Sequence, residues 1–123
     1  GDGRMRLMEQ ADVVPLMAAA DLLVSDASSV ANEFTLLDRP LVFVDVPALP
    51  SRLKPKADLD TWGRKAGFLA GGPLDLVEGI ETAFDRPRQH AEVRRALAAD
   101  LFATPGRATD AAMSAIDAAL SRC

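Results

Sequence analysis

The sequence is poor in the side chains that carry most nucleophilic and metal chemistry. Its 123 residues include one cysteine, Cys123, one histidine, His90, and no tyrosine. One cysteine excludes an internal disulfide bond, and no group of histidines and cysteines has the spacing of a metal site. A Ser-His-Asp or Cys-His set cannot be assembled with any specificity. We therefore predict no catalytic residue, no metal ligand and no cofactor in this chain.

Long apolar runs and a surplus of basic residues are also lacking. The longest apolar runs are a few residues long, which excludes a transmembrane helix. No charged and then apolar segment resembles a signal peptide at the N-terminus, so we expect a cytoplasmic location. Fourteen basic and eighteen acidic side chains give a net charge of −4, which argues against a nucleic-acid partner.

What is present is typical of a single globular domain. Hydrophobic residues make up 49% and charged residues 26% of the chain, and this length is enough for one core. The sequence begins at Gly1 without an initiator methionine. We expect residues 1–123 to form one domain of a longer polypeptide, with a C-terminal helix within residues 104–123.

A strand–helix–strand unit across residues 21–46 is the strongest structural signal. Leu22–Val24 and Leu41–Val44 are apolar at every position, as in strands that are buried on both faces of a parallel sheet. Between them Val30, Phe34 and Leu37 recur at helical spacing, and Asp38-Arg39-Pro40 ends the predicted helix. These elements form a βαβ unit.

The flanking segments suit the same α/β architecture. We expect strands at Arg4–Met8 and Gly67–Ala70, and a short helix from Pro15 to Ala20. Three further helices should carry the apolar sets Leu76/Ile80/Phe84, Val93/Leu97/Leu101 and Ala108/Ala112/Ile116/Leu120. The predicted fold is a Rossmann-like three-layer half-domain with a short parallel sheet.

The turn after the first strand of this unit is the best candidate for a ligand site. Ligands of open parallel sheets bind where a strand turns into the next helix, and here that turn is Ser25-Asp26-Ala27-Ser28-Ser29. Small residues and free N–H groups at a helix start favour a phosphate. Glu33 lies one turn beyond Ser29, where its carboxylate can accept hydrogen bonds from a ribose diol. The alternative is that Asp26 or Ser28 is an ordinary N-cap and Glu33 a solvated residue.

Other candidate residues are weaker. Asp45 ends the second strand at the same edge of the sheet, where it either orients a substrate or caps a loop. Arg52, Lys54 and Lys56 belong to a proline-rich loop that either meets anionic groups or is simply solvated. His90 lies in a polar stretch, so we expect it at the surface.

Residues 25–44, SDASSVANEFTLLDRPLVFV, resemble the nucleotide-binding motif of CDP-glycerol glycerophosphotransferases of the teichoic-acid type. That family shows Ser-Asp-Tyr-Ser-Ser, an apolar helix, and a Lys/Arg-Pro dipeptide before an apolar strand. Residues 12–24 are also similar to the family, and residues 104–108 weakly so. Ala27 departs from the pattern, because it replaces the tyrosine.

The resemblance implies the C-terminal half of a GT-B fold. We assign Asp26, Ala27, Ser28 and Ser29 to the nucleotide diphosphate and Glu33 to the ribose. The similar frame of sugar-nucleotide epimerases and other GT-B transferases supports this, since its diphosphate-binding glycines align with Ser28 and Ser29 and its ribose-binding glutamate with Glu33. The implied function is transfer of glycerophosphate, or a glycosyl unit, from a CDP- or UDP-linked donor to a cell-surface polymer. The N-terminal domain of the same polypeptide would supply the catalytic base, and the full-length enzyme would contact the inner face of the membrane peripherally. Alone, this chain should bind weakly and catalyse nothing.

Two alternatives remain open. The same frame resembles sugar-nucleotide epimerases and other GT-B glycosyltransferases, which have Ser-Asp-Ser-Gly-Gly followed by a glutamate. The second alternative is a non-catalytic α/β module for protein contacts, which predicts no affinity for nucleotides.

Overall fold

The computed structural model describes residues 5–9, 12–26, 28–45 and 64–122. The three strands in these ranges are β1 (Leu23–Ser25), β2 (Leu41–Val44) and β3 (Phe68–Ala70). The helices are α1 (Val14–Ala19), α2 (Ser29–Phe34), α3 (Pro73–Asp85), α4 (Ala91–Leu101) and α5 (Ala108–Leu120), with 3₁₀ turns at Thr35–Leu37 and Arg64–Ala66. No helix in these ranges is long and apolar enough to cross a membrane.

The strands form a parallel sheet in the order β1-β2-β3. Leu23 of β1 is in register with Leu41 of β2, and Val42 of β2 is in register with Phe68 of β3. Parallel neighbours need a crossover between them, and α2 with its 3₁₀ turn supplies the one from β1 to β2. The predicted α/β class with a short parallel sheet is therefore confirmed.

The central strand β2 is buried on both faces, as its continuous apolar run predicted. Leu41 and Phe43 pack with Phe34 and Ala31 of α2 on one face. Val42 packs on the other face with Ala83 of α3. Phe34 is fully buried, so truncating it to alanine should cost about 3–5 kcal/mol of stability. Helices on both faces of the sheet make the fold three-layered.

The helical crossover, which is α2 and its 3₁₀ turn, stops before Asp38, the C-cap, as the sequence predicted. This residue adopts the left-handed conformation, with φ 48° and ψ 33°, which aspartate tolerates better than most residues. The guanidinium of Arg94 stabilises the turn with two hydrogen bonds. Its Nε donates to Asp38 Oδ1 at 3.1 Å, and its Nη2 donates to the Asp38 carbonyl at 3.3 Å. Arg39 Nη1 donates to the Ala18 and Ala20 carbonyls at the end of α1.

A close backbone approach explains Gly67 at the entry to β3. A Cβ on this residue would lie 2.7 Å from Leu41 Cβ and closer still to the Leu41 carbonyl oxygen. Real Cβ atoms essentially never come so near to backbone, so only glycine lets β3 begin here.

Some sequence expectations were wrong. Residues 5–8 of the expected first strand are exposed coil, since they pair with neither β1 nor any other described strand. The three late helices form as predicted, but Phe84, Val93 and Leu101 are 42–56% exposed instead of buried. No residue of α5 is buried against the described part of the chain. The proline-rich loop with Arg52, Lys54 and Lys56 lies outside the described residues.

Candidate functional site

The turn from β1 into α2 lies at the carboxyl edge of the sheet, where parallel sheets bind ligands. Ser28 is the N-cap of α2, with an extended backbone at φ −126° and ψ 150°. Its Oγ accepts the Val30 N–H at 3.2 Å, and its own N–H donates to the Asp26 carbonyl at 3.1 Å. A serine hydroxyl that accepts one hydrogen bond still has a hydrogen to donate. Ser28 therefore caps the helix, and the cap does not use its hydroxyl hydrogen.

Ser29 and Asp26 flank this cap on the solvent side. Both are exposed, and Ser29 is the first residue of α2. Because α2 has only six residues, its dipole is weaker than that of a long helix. Attraction of an anion here depends mainly on first-turn N–H groups and hydroxyls. Ala27 lies outside the described residues.

Glu33 lies one helical turn after Ser29, about 6 Å away between Cβ atoms, as is usual for residues four apart. Its side chain is exposed and lines a groove of about 380 Å³ between α1 and the α2 segment. The other lining residues are all apolar: Val14, Met17, Ala18, Leu36, Leu37 and Phe102. The sequence did not predict this groove, because its walls come from three separate segments.

Asp45 is placed at the same edge, directly after β2. Its N–H donates to the carbonyl of Ala70, the last residue of β3, at 2.8 Å. Its Oδ1 accepts a hydrogen bond from Arg64 Nη1 at 3.3 Å. Sequence reasoning missed Arg64, because nothing local shows that a residue preceding β3 reaches back to the end of β2.

His90 is not the surface residue that the sequence predicted. Its ring is half-buried and meets the Phe68 ring edge-on, with centroids 4.7 Å apart and planes at 88°. Burial, followed by the positive charge of Arg94, lowers the pKa of His90 below 6.5, and a hydrogen bond with the Lys65 backbone opposes this shift. Phe68 begins β3, so His90 lies away from the carboxyl edge and has a packing role.

The described ranges contain no group of three or more histidine, cysteine, aspartate or glutamate residues that could hold a metal ion. The carboxyl edge carries the Ser28 hydroxyl at the start of α2 and, beside Asp45, the Arg64 guanidinium. Hydroxyl and guanidinium donors are groups that bind oxyanions.

Comparison with curated proteins and with solved structures finds no significant match. A family model does match residues 2–47, which include α1, β1, α2, β2 and Asp45. The match covers less than half of the chain and leaves Arg64 outside it. This strand–helix–strand segment is thus similar to the family CDP-Glycerol:Poly(glycerophosphate) glycerophosphotransferase.

Proposed function

We propose that the chain is the donor-binding part of a transferase that moves glycerophosphate from a CDP-linked donor to a polymer acceptor. The observation that carries this proposal is the match of residues 2–47 to the glycerophosphotransferase family, because this segment contains the complete β1–α2–β2 unit. The catalytic base and the acceptor site would belong to an N-terminal domain of the same polypeptide.

The diphosphate binds at the start of α2. Ser29 faces solvent there, and the Ser28 hydroxyl keeps a hydrogen to donate after accepting the Val30 N–H. The turn after β1, which includes Asp26, brings the diphosphate to these donors. Since the chain has a net charge of −4 and α2 is short, the attraction is local and modest. We expect a dissociation constant of about 1 mM for CDP.

The ribose binds beside the second turn of α2. The exposed carboxylate of Glu33 accepts hydrogen bonds from the 2′ and 3′ hydroxyls. A carboxylate acceptor strengthens such bonds relative to a neutral one. Glu33 therefore favours a ribonucleotide over its 2′-deoxy counterpart.

The transfer needs little covalent chemistry from this chain. The acceptor hydroxyl oxygen forms a bond to the phosphorus of the glycerophosphate, and the phosphoanhydride bond breaks. CMP leaves with the bonding electrons, while the hydroxyl proton passes to the base. Residues that hold the departing phosphate, such as Ser29, stabilise the charge that develops on it.

Calorimetric titration with CDP, UDP and 2′-deoxy-CDP tests the proposal. Ser29→Ala should weaken CDP binding several-fold, whereas Ser114→Ala on α5, a matched control, should not. Glu33→Ala should weaken CDP binding about tenfold but leave 2′-deoxy-CDP much less affected. Glu81→Gln on α3 controls for the loss of one exposed carboxylate.

A preference for UDP over CDP would contradict the proposed donor. Absence of binding to either nucleotide at millimolar concentration would contradict the nucleotide site itself.

A further inference from the structure

Arg64 has an unusual position for a cationic side chain. Its side chain is 13% exposed, and its Nη1 donates to Asp45 Oδ1 at 3.3 Å. Its Nε and Nη2 are buried and have no hydrogen-bond partner in the described part of the chain. Buried donors without partners are costly, so each one calls for an explanation.

Arg94, whose guanidinium is also buried, shows how such a group is normally satisfied. Its Nε and Nη2 donate to the Asp38 carboxylate and to the carbonyls of Asp38 and Pro87. In Arg64 the same two nitrogens are the ones left unpaired. The two buried arginines therefore differ in what their Nε/Nη2 edge contacts.

The Nε/Nη2 edge is suited to one class of ligand. Its two N–H bonds are parallel, so they can bind two oxygens of a carboxylate or phosphate at once. Asp45 occupies Nη1, while Nε and Nη2 are buried and have no partner in the described part of the chain. Asp45 also fixes the direction of the guanidinium, which makes it a positioning residue.

The pair lies where a ligand of this sheet would bind. Asp45 follows β2 and is hydrogen-bonded to Ala70 at the end of β3, so it belongs to the carboxyl edge. The Ser28–Ser29 turn belongs to the same edge, after the neighbouring strand β1. Adjacent strands are about 4.8 Å apart, so groups that follow two of them can reach one diphosphate.

We propose that the Nε/Nη2 edge of Arg64 binds a phosphate oxyanion of the donor, held in place by Asp45. The identity of the ligand rests on the proposed function, whereas the anion site rests on Arg64 itself. Because both nitrogens are shielded in the ligand-free chain, the groups that cover them move aside on binding, while the bond to Asp45 is kept.

Titration of the 123-residue chain with CDP and with inorganic pyrophosphate tests this proposal. Arg64→Lys keeps the positive charge but loses the pair of parallel N–H donors. It should therefore weaken the binding of both CDP and pyrophosphate about tenfold. Arg88→Gln, in the exposed turn between α3 and α4, removes a charge away from the site and should leave both affinities unchanged. Asp45→Asn should weaken the binding of both ligands less than Arg64→Lys does.

The outcomes separate this inference from the proposed function. Suppose that the parent chain binds CDP and that the dissociation constants of Arg64→Lys for both ligands are within twofold of the parent values. The proposed Arg64 site is then refuted, while the nucleotide site stands. If pyrophosphate binds through Arg64 but CDP does not bind, the nucleotide function is wrong while the anion site stands. If neither ligand binds the parent chain, both are wrong.

A measurement on the parent chain covers the case in which Arg64→Lys fails to fold. The ¹H–¹⁵N signal of the Arg64 side-chain Nε should shift on addition of pyrophosphate, since that N–H would gain an oxygen acceptor. An unmoved signal at saturating pyrophosphate would overturn the proposal.

Discussion

Replacing Arg94 with methionine tests whether the turn at Asp38 depends on this buried arginine. The Arg94 side chain is 2% exposed and joins α4 to the end of the crossover through Asp38. Its Nη2 also donates to the Pro87 carbonyl at 2.8 Å, and this hydrogen bond fixes the segment before α4 to the helix. Methionine fills a similar length with an apolar chain and removes all three hydrogen bonds.

The size of the effect follows from what is left without a partner. Removing one member of a buried ion pair costs about 3–5 kcal/mol. Asp38 is 42% exposed, so water can replace part of its lost contact, and the lower end of that range applies. We expect Arg94→Met to lower the free energy of unfolding by about 3 kcal/mol.

Arg95 supplies a matched control, because it also approaches Asp38. Its Nε lies 3.6 Å from Asp38 Oδ2, but its side chain is 65% exposed. Exposed pairs contribute between about 0 and 1 kcal/mol, so Arg95→Met should have little effect. Urea unfolding followed by far-ultraviolet circular dichroism measures both variants. Equal losses of stability in the two variants would refute the assigned role of Arg94.

Two further predictions concern the fold. Gly67→Ala should lower the free energy of unfolding by about 2 kcal/mol or more, because the new Cβ would collide with the Leu41 backbone. Gly72→Ala is the control: its Cβ would meet nothing within 4 Å, so it should cost less than about 1 kcal/mol in the same urea assay. Since the pKa of His90 is lowered in the folded state, the unfolded chain binds more protons, and stability should fall as pH decreases through 6.5 toward the folded-state pKa. Thermal unfolding between pH 5 and 7.5 should show this slope in the parent chain and a weaker one in His90→Gln; parallel curves would contradict the assignment.

The sequence was most informative where local pattern and tertiary burial agree. The run Leu41–Val44 predicted a strand with both faces covered, and the structure places it at the centre of the sheet. The Phe34 position and the stop at Asp38 were also predictable, since helical spacing and the following proline act locally. These features need no knowledge of which distant segment packs against them.

The sequence was least informative about pairs of residues that are distant along the chain. The contacts of Arg94 with Asp38 and of Arg64 with Asp45 span 56 and 19 residues, and neither has a local signature. Exposed apolar positions such as Phe84 follow the helical period without being buried, because the period does not say how wide the covered face is. Periodicity alone therefore overestimated the core.

For the candidate site, the turn and its N-cap followed from spacing, and the roles of Ser29 and Glu33 stay predictions. The apolar groove beside Glu33 could not be predicted, because α1, α2 and Phe102 come together only in the folded chain. At Ser28 the helix cap that the sequence offered as an alternative is present, since its Oγ accepts the Val30 N–H, while its hydroxyl hydrogen can still be donated.

The most direct test of the central claim is a ¹H–¹⁵N titration of the labelled chain with CDP up to several millimolar. The proposed site predicts amide shifts concentrated between Ser28 and Glu33, with α5 unaffected as an internal reference. Signals from residues 28–33 that remain unmoved at these concentrations would contradict the claim that this turn binds the donor nucleotide.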